Sequence, residues 1–188
     1  VGIGRVSKNT AIRNLTIFYV EFIRGVPMLV LIFTIAFVLV PAVTEALGVE
    51  NRAIAQSTRG IIALSVIYGA FMAEIFRAGI ESIPRGQAEA ARSLGMTAAQ
   101  SMRHIILPQA IRNIMPALGN DFIATLKDSS LLSVLAVREI TQMSRLYAGS
   151  SFRFRESYLV LTFLYLTMTL LLSLLLRWYE NRIRTDEG

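Results

Sequence analysis

Charged side chains interrupt the apolar stretches of this chain, among them Arg24, Glu74, Asp121, Lys127 and Asp128. Charge among apolar residues is costly, so such groups face a bundle interior or a watery cavity. What they can do chemically is line a polar pathway. The usual catalytic sets are missing. There is no cysteine, and His104 is the single histidine, which leaves neither disulfides nor Cys- or His-based metal or triad chemistry. Ser129 and Ser130 have no histidine nearby, and Asp121 and Asp128 are isolated by sequence context. An intramembrane hydrolase needs a nucleophile with a base, or paired aspartates at suitable spacing. No Gly-x-x-x-x-Gly-Lys-Ser/Thr phosphate loop occurs, so the chain is not expected to hydrolyse ATP. No catalytic residue, metal ligand or cofactor is assigned.

The elements that position these residues are apolar runs. Hydrophobic residues make up 54% of the chain and charged residues 17%, against about 25% charge in an average soluble domain. Ser157 to Leu176 carries no charge and is long enough to cross a bilayer core. Arg177, Trp178 and Tyr179 mark its interface. Gly25 to Val40 is short alone and extends back through Leu15-Thr16-Ile17-Phe18-Tyr19-Val20. That extension includes Glu21 and Arg24, three apart on one helical face and able to pair. Pro27 is expected to kink it. Gly60 to Ala73, ending at Glu74 and Arg77, is a third run, and Asn113 to Val137 a fourth. The expected spans are roughly 14–40, 58–80, 113–137 and 157–178, in one transmembrane domain over 1–188. Val1-Gly2-Ile3-Gly4 has no initiator methionine and reads as the end of an apolar segment that meets Arg5 and Lys8. An upstream span is expected there.

The net charge of +6 is spread over loops and helix ends rather than clustered on one face, which argues against a nucleic-acid partner. With both ends and the Gln87 region cytoplasmic, eleven Lys and Arg lie inside and six outside, in keeping with the positive-inside rule. The outer six are Arg52, Arg59, Arg138, Arg145, Arg153 and Arg155, so the loop from 138 to 155 is unusually basic.

Between the second and third expected spans' polar ends lies a loop over 82–112. Ser82 is placed to cap a helix with Pro84 in its first turn. That helix runs through Gln87-Ala88-Glu89-Ala90-Ala91-Arg92 and stops at Gly95. Thr97 and Gln100 form a capping-box pattern for a second helix that reaches Pro108. Ala88, Ala91 and Gly95 share one stripe, and small residues let a helix seat deeply in a partner's groove. An ordinary amphipathic connector is the plainer reading, since alanine is simply a good helix former.

Ile83-Pro84-x-Gly86-Gln87-x-Glu89-Ala90-Ala91-x-x-Leu94-Gly95, followed by Ile106-Leu107-Pro108-Gln109-Ala110, resembles the EAA loop of binding-protein-dependent ABC importer permeases. Arg24-Gly25-Val26-Pro27-Met28-Leu29, Ala73-Glu74-Ile75-Phe76-Arg77-Ala78-Gly79-Ile80 and Leu126-Lys127-Asp128-Ser129-Ser130-Leu131 narrow the resemblance to polar amino acid permeases. Val26 stands where that family usually has Thr. The resemblance implies an all-α integral membrane fold. Its five-helix permease core would lack most of the first transmembrane helix here and carry a cytoplasmic coupling-helix pair. It implies ATP-driven import of polar, possibly basic, amino acids through the bacterial inner membrane. The implied partners are a separate ABC ATPase pair, a second permease subunit, an extracytoplasmic binding protein and membrane lipid. Gln87, Glu89, Ala90, Ala91 and Gly95 are the implied coupling residues.

A transported amino acid needs a cation or helix N-terminus for its carboxylate and an acid for its ammonium. Arg24, Glu74, Asn120, Asp121, Lys127, Asp128 and Ser129 are the candidates. Asp121 stands out because it follows Gly119-Asn120 in mid-span. Structural alternatives are Glu21 with Arg24 near the inner interface, Glu74 with Arg77 at the membrane edge, and Lys127 with Asp128 bracing a helix end. A passive channel or structural membrane subunit is the competing class. It offers no reason for a glycine-broken docking loop.

Overall fold

The computed structural model describes residues 9–185, without the side chains of residues 180, 181 and 183–185. The expectation for Val1-Gly2-Ile3-Gly4, Arg5 and Lys8 lies outside the described residues. Every regular element described is helical. Helix α1 is Thr10–Gly25. Helix α2, Met28–Ala46, contains a π turn at Ile35–Leu39. A 3-10 turn at Asn51–Ala53 precedes α3, Gln56–Glu81. Helix α4 is Arg85–Ser93 and α5 is Ala98–Ser101. A second π turn, Met102–Ile106, leads into α6, Leu107–Asp128. A 3-10 turn at Ser129–Leu135, then α7, Ile140–Ser151, and α8, Phe154–Thr185, complete the chain. Met28–Ala46, Gln56–Glu81 and Phe154–Tyr179 are long and apolar enough to cross a membrane.

The stretch from 14 to 40 is two helices rather than one kinked helix. Pro27 sits at φ −56°, ψ 136°, extended, and caps α2 without a side-chain bond. Proline disfavours the α conformation in the residue before it and supplies no N–H, so α1 ends at Gly25. The stretch from 113 to 137 leaves the α conformation at Asp128, tightens into the 3-10 turn, and stops at Ala136 in the left-handed region, φ 55°.

Both π turns end one residue short of a proline. The Val40 amide donates to Ile35 O, just ahead of Pro41. The Leu107 amide donates to Met102 O, just ahead of Pro108. A proline ring clashes with the carbonyl four residues back, and widening the helix relieves that clash. The widened register has a consequence at Pro41. Its missing N–H would have served Ala36 O, and the Arg59 guanidinium donates there instead, at 3.2 Å. Arg59 is 7% exposed. It also donates to Ile54 O (3.2 Å), to Asn51 O (2.7 Å) and to Asn51 Oδ1 (2.6 Å). A buried guanidinium is tolerable when its donors are met in this way.

The chain divides into two compact units, each assembled from two sequence segments. The first comprises Val1–Phe22 and Gly69–Asp121. Its tightest approach is at Gly79, where a Cβ would lie 1.9 Å from Ile114 Cγ2 and 3.3 Å from Ala110 O. Glycine here lets α3 and α6 come backbone to side chain. Ala70, Ala73, Ala110 and Ile114 are buried with it. The second unit comprises Ile23–Tyr68 and Phe122–Gly188. Its core holds Leu31, Ile32, Ile35, Ala36, Ala63, Ile67, Leu132 and Leu135.

Candidate functional site

The turn between α4 and α5 is closed on both sides by local chemistry. Leu94 caps α4, and Gly95 follows at φ 77°, a conformation that glycine adopts without a Cβ penalty. The Gly95 amide donates to Arg92 O at 2.9 Å and the Met96 amide to Ala91 O at 3.1 Å, the paired bonds of a Schellman ending. One residue later, the Gln100 amide donates to Thr97 Oγ1 at 3.3 Å, and Gln100 Oε1 accepts from the Thr97 amide at 2.8 Å. The capping box is therefore complete. The expected cap at Ser82 does not form. Pro84 is the N-cap of α4 and makes no side-chain bond. Ser82 Oγ instead donates to Gly79 O at 2.7 Å and accepts from Asn113 Nδ2 at 2.9 Å, which ties the end of α3 to α6.

Gln87, Glu89, Ala90 and Gly95 are exposed. Ala91 is not: it is 3% exposed and turned into its own chain, on the side of α4 that packs against α5 and the π turn after it. The small-residue stripe thus splits: Ala91 is buried and seats the hairpin on itself, Ala88 is half-buried and Gly95 is exposed. Ala90, off that stripe, faces outward. Leu94, absent from the sequence-derived coupling set, is 83% exposed. At the start of α4, a cleft of about 480 Å³ is lined by Ile80, Glu81, Ile83, Pro84, Arg85, Ala88 and Ile106.

The pathway candidates are placed separately within each unit. In the first, the Arg77 guanidinium bridges Glu74 and Glu81, with Nε 3.1 Å from Glu74 Oε2. Glu74 is thus part of an ion-pair ladder along one face of α3, as the pairing alternative anticipated. It also lines a cleft of about 490 Å³ with Ser82, Asn113 and Ile114. Asn120 is exposed, and Asp121 is half-buried with Oδ2 shielded from solvent. In the second unit, Arg24 and Lys127 are exposed. Asp128 Oδ2 accepts from the buried Tyr68 hydroxyl at 2.7 Å, and Ser129 Oγ donates to Leu126 O at 2.7 Å. Asp128 and Ser129 therefore hold the junction where α6 tightens into its 3-10 turn.

Residues 1–185 match the family described as the binding-protein-dependent transport system inner membrane component. The chain belongs to this permease family. It is 40% identical over 175 residues to the probable amino-acid permease protein YxeN of Bacillus subtilis (strain 168), covering 93% of this chain and 76% of that one. It is 39% identical to the probable glutamine ABC transporter permease protein GlnM of the same organism, covering 88% and 73%. Identity to the glutamine transport system permease protein GlnP of Escherichia coli (strain K12) is 32%, covering 97% and 81%. Among solved structures, the crystal structure of an amino acid ABC transporter with histidines superposes with a TM-score of 0.86 at 39% identity, over 96% of this chain and 81% of that chain. An inward-facing MetNI methionine ABC transporter superposes at 0.66 with 20% identity and speaks for the fold alone.

This permease is an all-helical membrane protein related to components of amino acid ABC importers. Two of its structural residues escaped sequence reading. Tyr68 gave no signal, because a tyrosine in an apolar run is indistinguishable from a packing residue until Asp128 is seen beside it. Arg59 read as an outer-loop cation, although Pro41 hinted at a carbonyl in need of a donor.

Proposed function

We propose that the permease is the membrane subunit of an ATP-driven importer of polar, possibly basic, amino acids. It sits in the bacterial inner membrane with both chain ends and the α4–α5 hairpin cytoplasmic. A separate ABC ATPase pair drives it, a second permease subunit completes it, and an extracytoplasmic binding protein supplies the substrate. The hairpin carries this reading. Its inner side is consumed by Ala91, and its outer side presents Gln87, Glu89, Ala90 and Leu94 on a helix whose C-terminal end is closed by a Schellman turn. Closure of the ATPase pair would move this rigid knob and rock the permease between inward-facing and outward-facing states. The substrate class rests on relatives named for glutamine and amino-acid transport and on a similar structure described with histidines. Asp121 is the proposed contact for the ammonium or a cationic side chain of the amino acid. Arg24, Glu74, Asn120, Lys127, Asp128 and Ser129 are its proposed companions along the path.

The test is uptake of a panel of labelled amino acids into vesicles holding the permease with its ATPase and binding protein. Uptake should require ATP inside the compartment that holds the ATPase. Uptake that persists without the ATPase subunit would instead describe a passive channel.

A further inference from the structure

We propose that the end of α8 holds one anionic phospholipid, whose phosphate accepts from Arg182 while its glycerol backbone rests against Trp178. A stacked pair of side chains carries this inference. Arg182 Cζ lies 5.0 Å from the centroid of the Trp178 ring. Both residues are exposed, Trp178 to 59%. Neither makes a hydrogen bond or ion pair with any described residue. The guanidinium donors and the indole N–H therefore stand unmet among the described residues, on one side of the helix at positions i and i+4.

Depth along the helix places the pair at the level of the lipid phosphates. Ser157 to Leu176 carries no charge, and a helix of that length spans about 30 Å, the thickness of the hydrocarbon core. Trp178 then stands about 3 Å beyond the core edge. Arg182 follows by one turn, and helical side chains lean toward the helix N-terminus. Its guanidinium is folded back over the indole rather than extended into water, which brings the charge to headgroup depth. An arginine stacked on a ring face keeps its N–H edge available for a phosphate. Glu180 occupies a position two residues before Arg182, where helix neighbours do not face each other.

A lipid fits this surface better than a second copy of the chain. The spanning stretch Phe154–Tyr179 buries none of its residues within this chain. Leu171, Leu174 and Leu175 precede Trp178 at helical spacing and are exposed on its side of α8. Two copies that met through this same face would bring their arginines together. A phospholipid instead supplies acyl chain beside the leucines and phosphate beside the arginine in one molecule. The ammonium of a zwitterionic headgroup would oppose the guanidinium, so the pair selects a headgroup of net negative charge. Tyr179, also exposed, completes the aromatic border expected of a membrane–water boundary. The inference rests on the membrane reading, and the proposed orientation decides only the leaflet, the cytoplasmic one.

Trp178 is the single tryptophan of the chain, so its fluorescence reports on the site directly. The intact transporter is placed in vesicles of phosphatidylcholine and phosphatidylglycerol, one of the two brominated on its acyl chains. A Trp178→Phe transporter subtracts the tryptophans of the other subunits. Bromine quenches an indole that touches the brominated lipid. Quenching should reveal about a fivefold preference for phosphatidylglycerol at Trp178, the attraction of one arginine at an anionic surface. Arg182→Gln should bring the preference close to one while both lipids still quench, which shows that α8 remains in the bilayer. Arg177→Gln, which leaves the stacked pair intact, should keep most of the preference. Wild-type Trp178 quenched by neither lipid overturns the proposal, because another subunit then covers it. Equal affinity for the two lipids in wild type overturns it as well. So does an equal loss of preference in Arg177→Gln, which would describe diffuse attraction rather than a site. ATP-driven uptake by the same vesicles tests the importer reading separately.

Discussion

At the residue scale, the polar groups of this permease fall into two kinds. Some are tied into the helices. Arg59 gives four hydrogen bonds to neutral oxygens around the π turn of α2. Lysine cannot reproduce a planar fork with donors at three carbonyls and an amide oxygen. Arg59→Lys should therefore cost about 2 kcal/mol, because buried acceptors go unmet. Thermal unfolding of the purified protein in detergent would register this, with Arg52→Lys on the exposed turn nearby as the unchanged comparison. Asp121 is the proposed substrate contact. It is half-buried and lies in the middle of a helix that carries no apolar excuse for it. Asp121→Asn removes the charge and keeps the shape. Uptake of a labelled cationic amino acid should fall by about tenfold or more, the loss of one charge-assisted contact. Neutral amino acids alone carried, and at an unchanged rate, would make Asp121 structural.

At the element scale, glycine and proline decide how the helices meet. Gly79 lies against Ile114, and the methyl it meets is fixed on a branched Cβ that cannot swing away. Gly79→Ala would normally favour a helix. Here overpacking dominates, and a loss of about 1–3 kcal/mol is expected. Ile114→Ala costs stability by itself through a cavity. Combined with Gly79→Ala it should recover part of the loss, because the added methyl fills the space the isoleucine vacates. A double-mutant cycle read by unfolding midpoint checks this, and purely additive losses would refute the close-packing account. The same scale explains why two prolines are accommodated inside long helices. The backbone widens ahead of each, and at Pro41 an arginine from α3 takes up the carbonyl left without a donor.

At the scale of the whole molecule, the α4–α5 hairpin is the part proposed to communicate with a separate ATPase. Ala90 points outward and Ala91 inward. Ala90→Phe should leave expression and membrane insertion intact while abolishing ATP-driven uptake, since a bulky ring on the outward face would obstruct the proposed docking on the ATPase. Ala91→Phe should instead disturb the hairpin itself and lower the yield of folded protein. Comparing uptake per unit of folded protein for the two variants separates the roles. Normal uptake by Ala90→Phe would remove this face from the coupling surface.

The sequence by itself determined the class of protein, because composition, run length and the spacing of Gly86, Glu89, Ala90 and Gly95 are local properties. The hairpin was legible for the same reason. Caps and glycine turns act within five residues, and Thr97, Gln100 and Gly95 do what their types dictate. Ser82 was misread because a serine ahead of Pro84 can serve either helix, and only Asn113, thirty-one residues away, draws it toward α3. Tertiary structure alone decided that Ala91 is spent inside the chain, that Asp128 answers Tyr68, and that Arg59 is buried rather than displayed. Each of these depends on a partner brought close by helix packing. A one-dimensional pattern records which side chains could pair, and packing determines which of them meet.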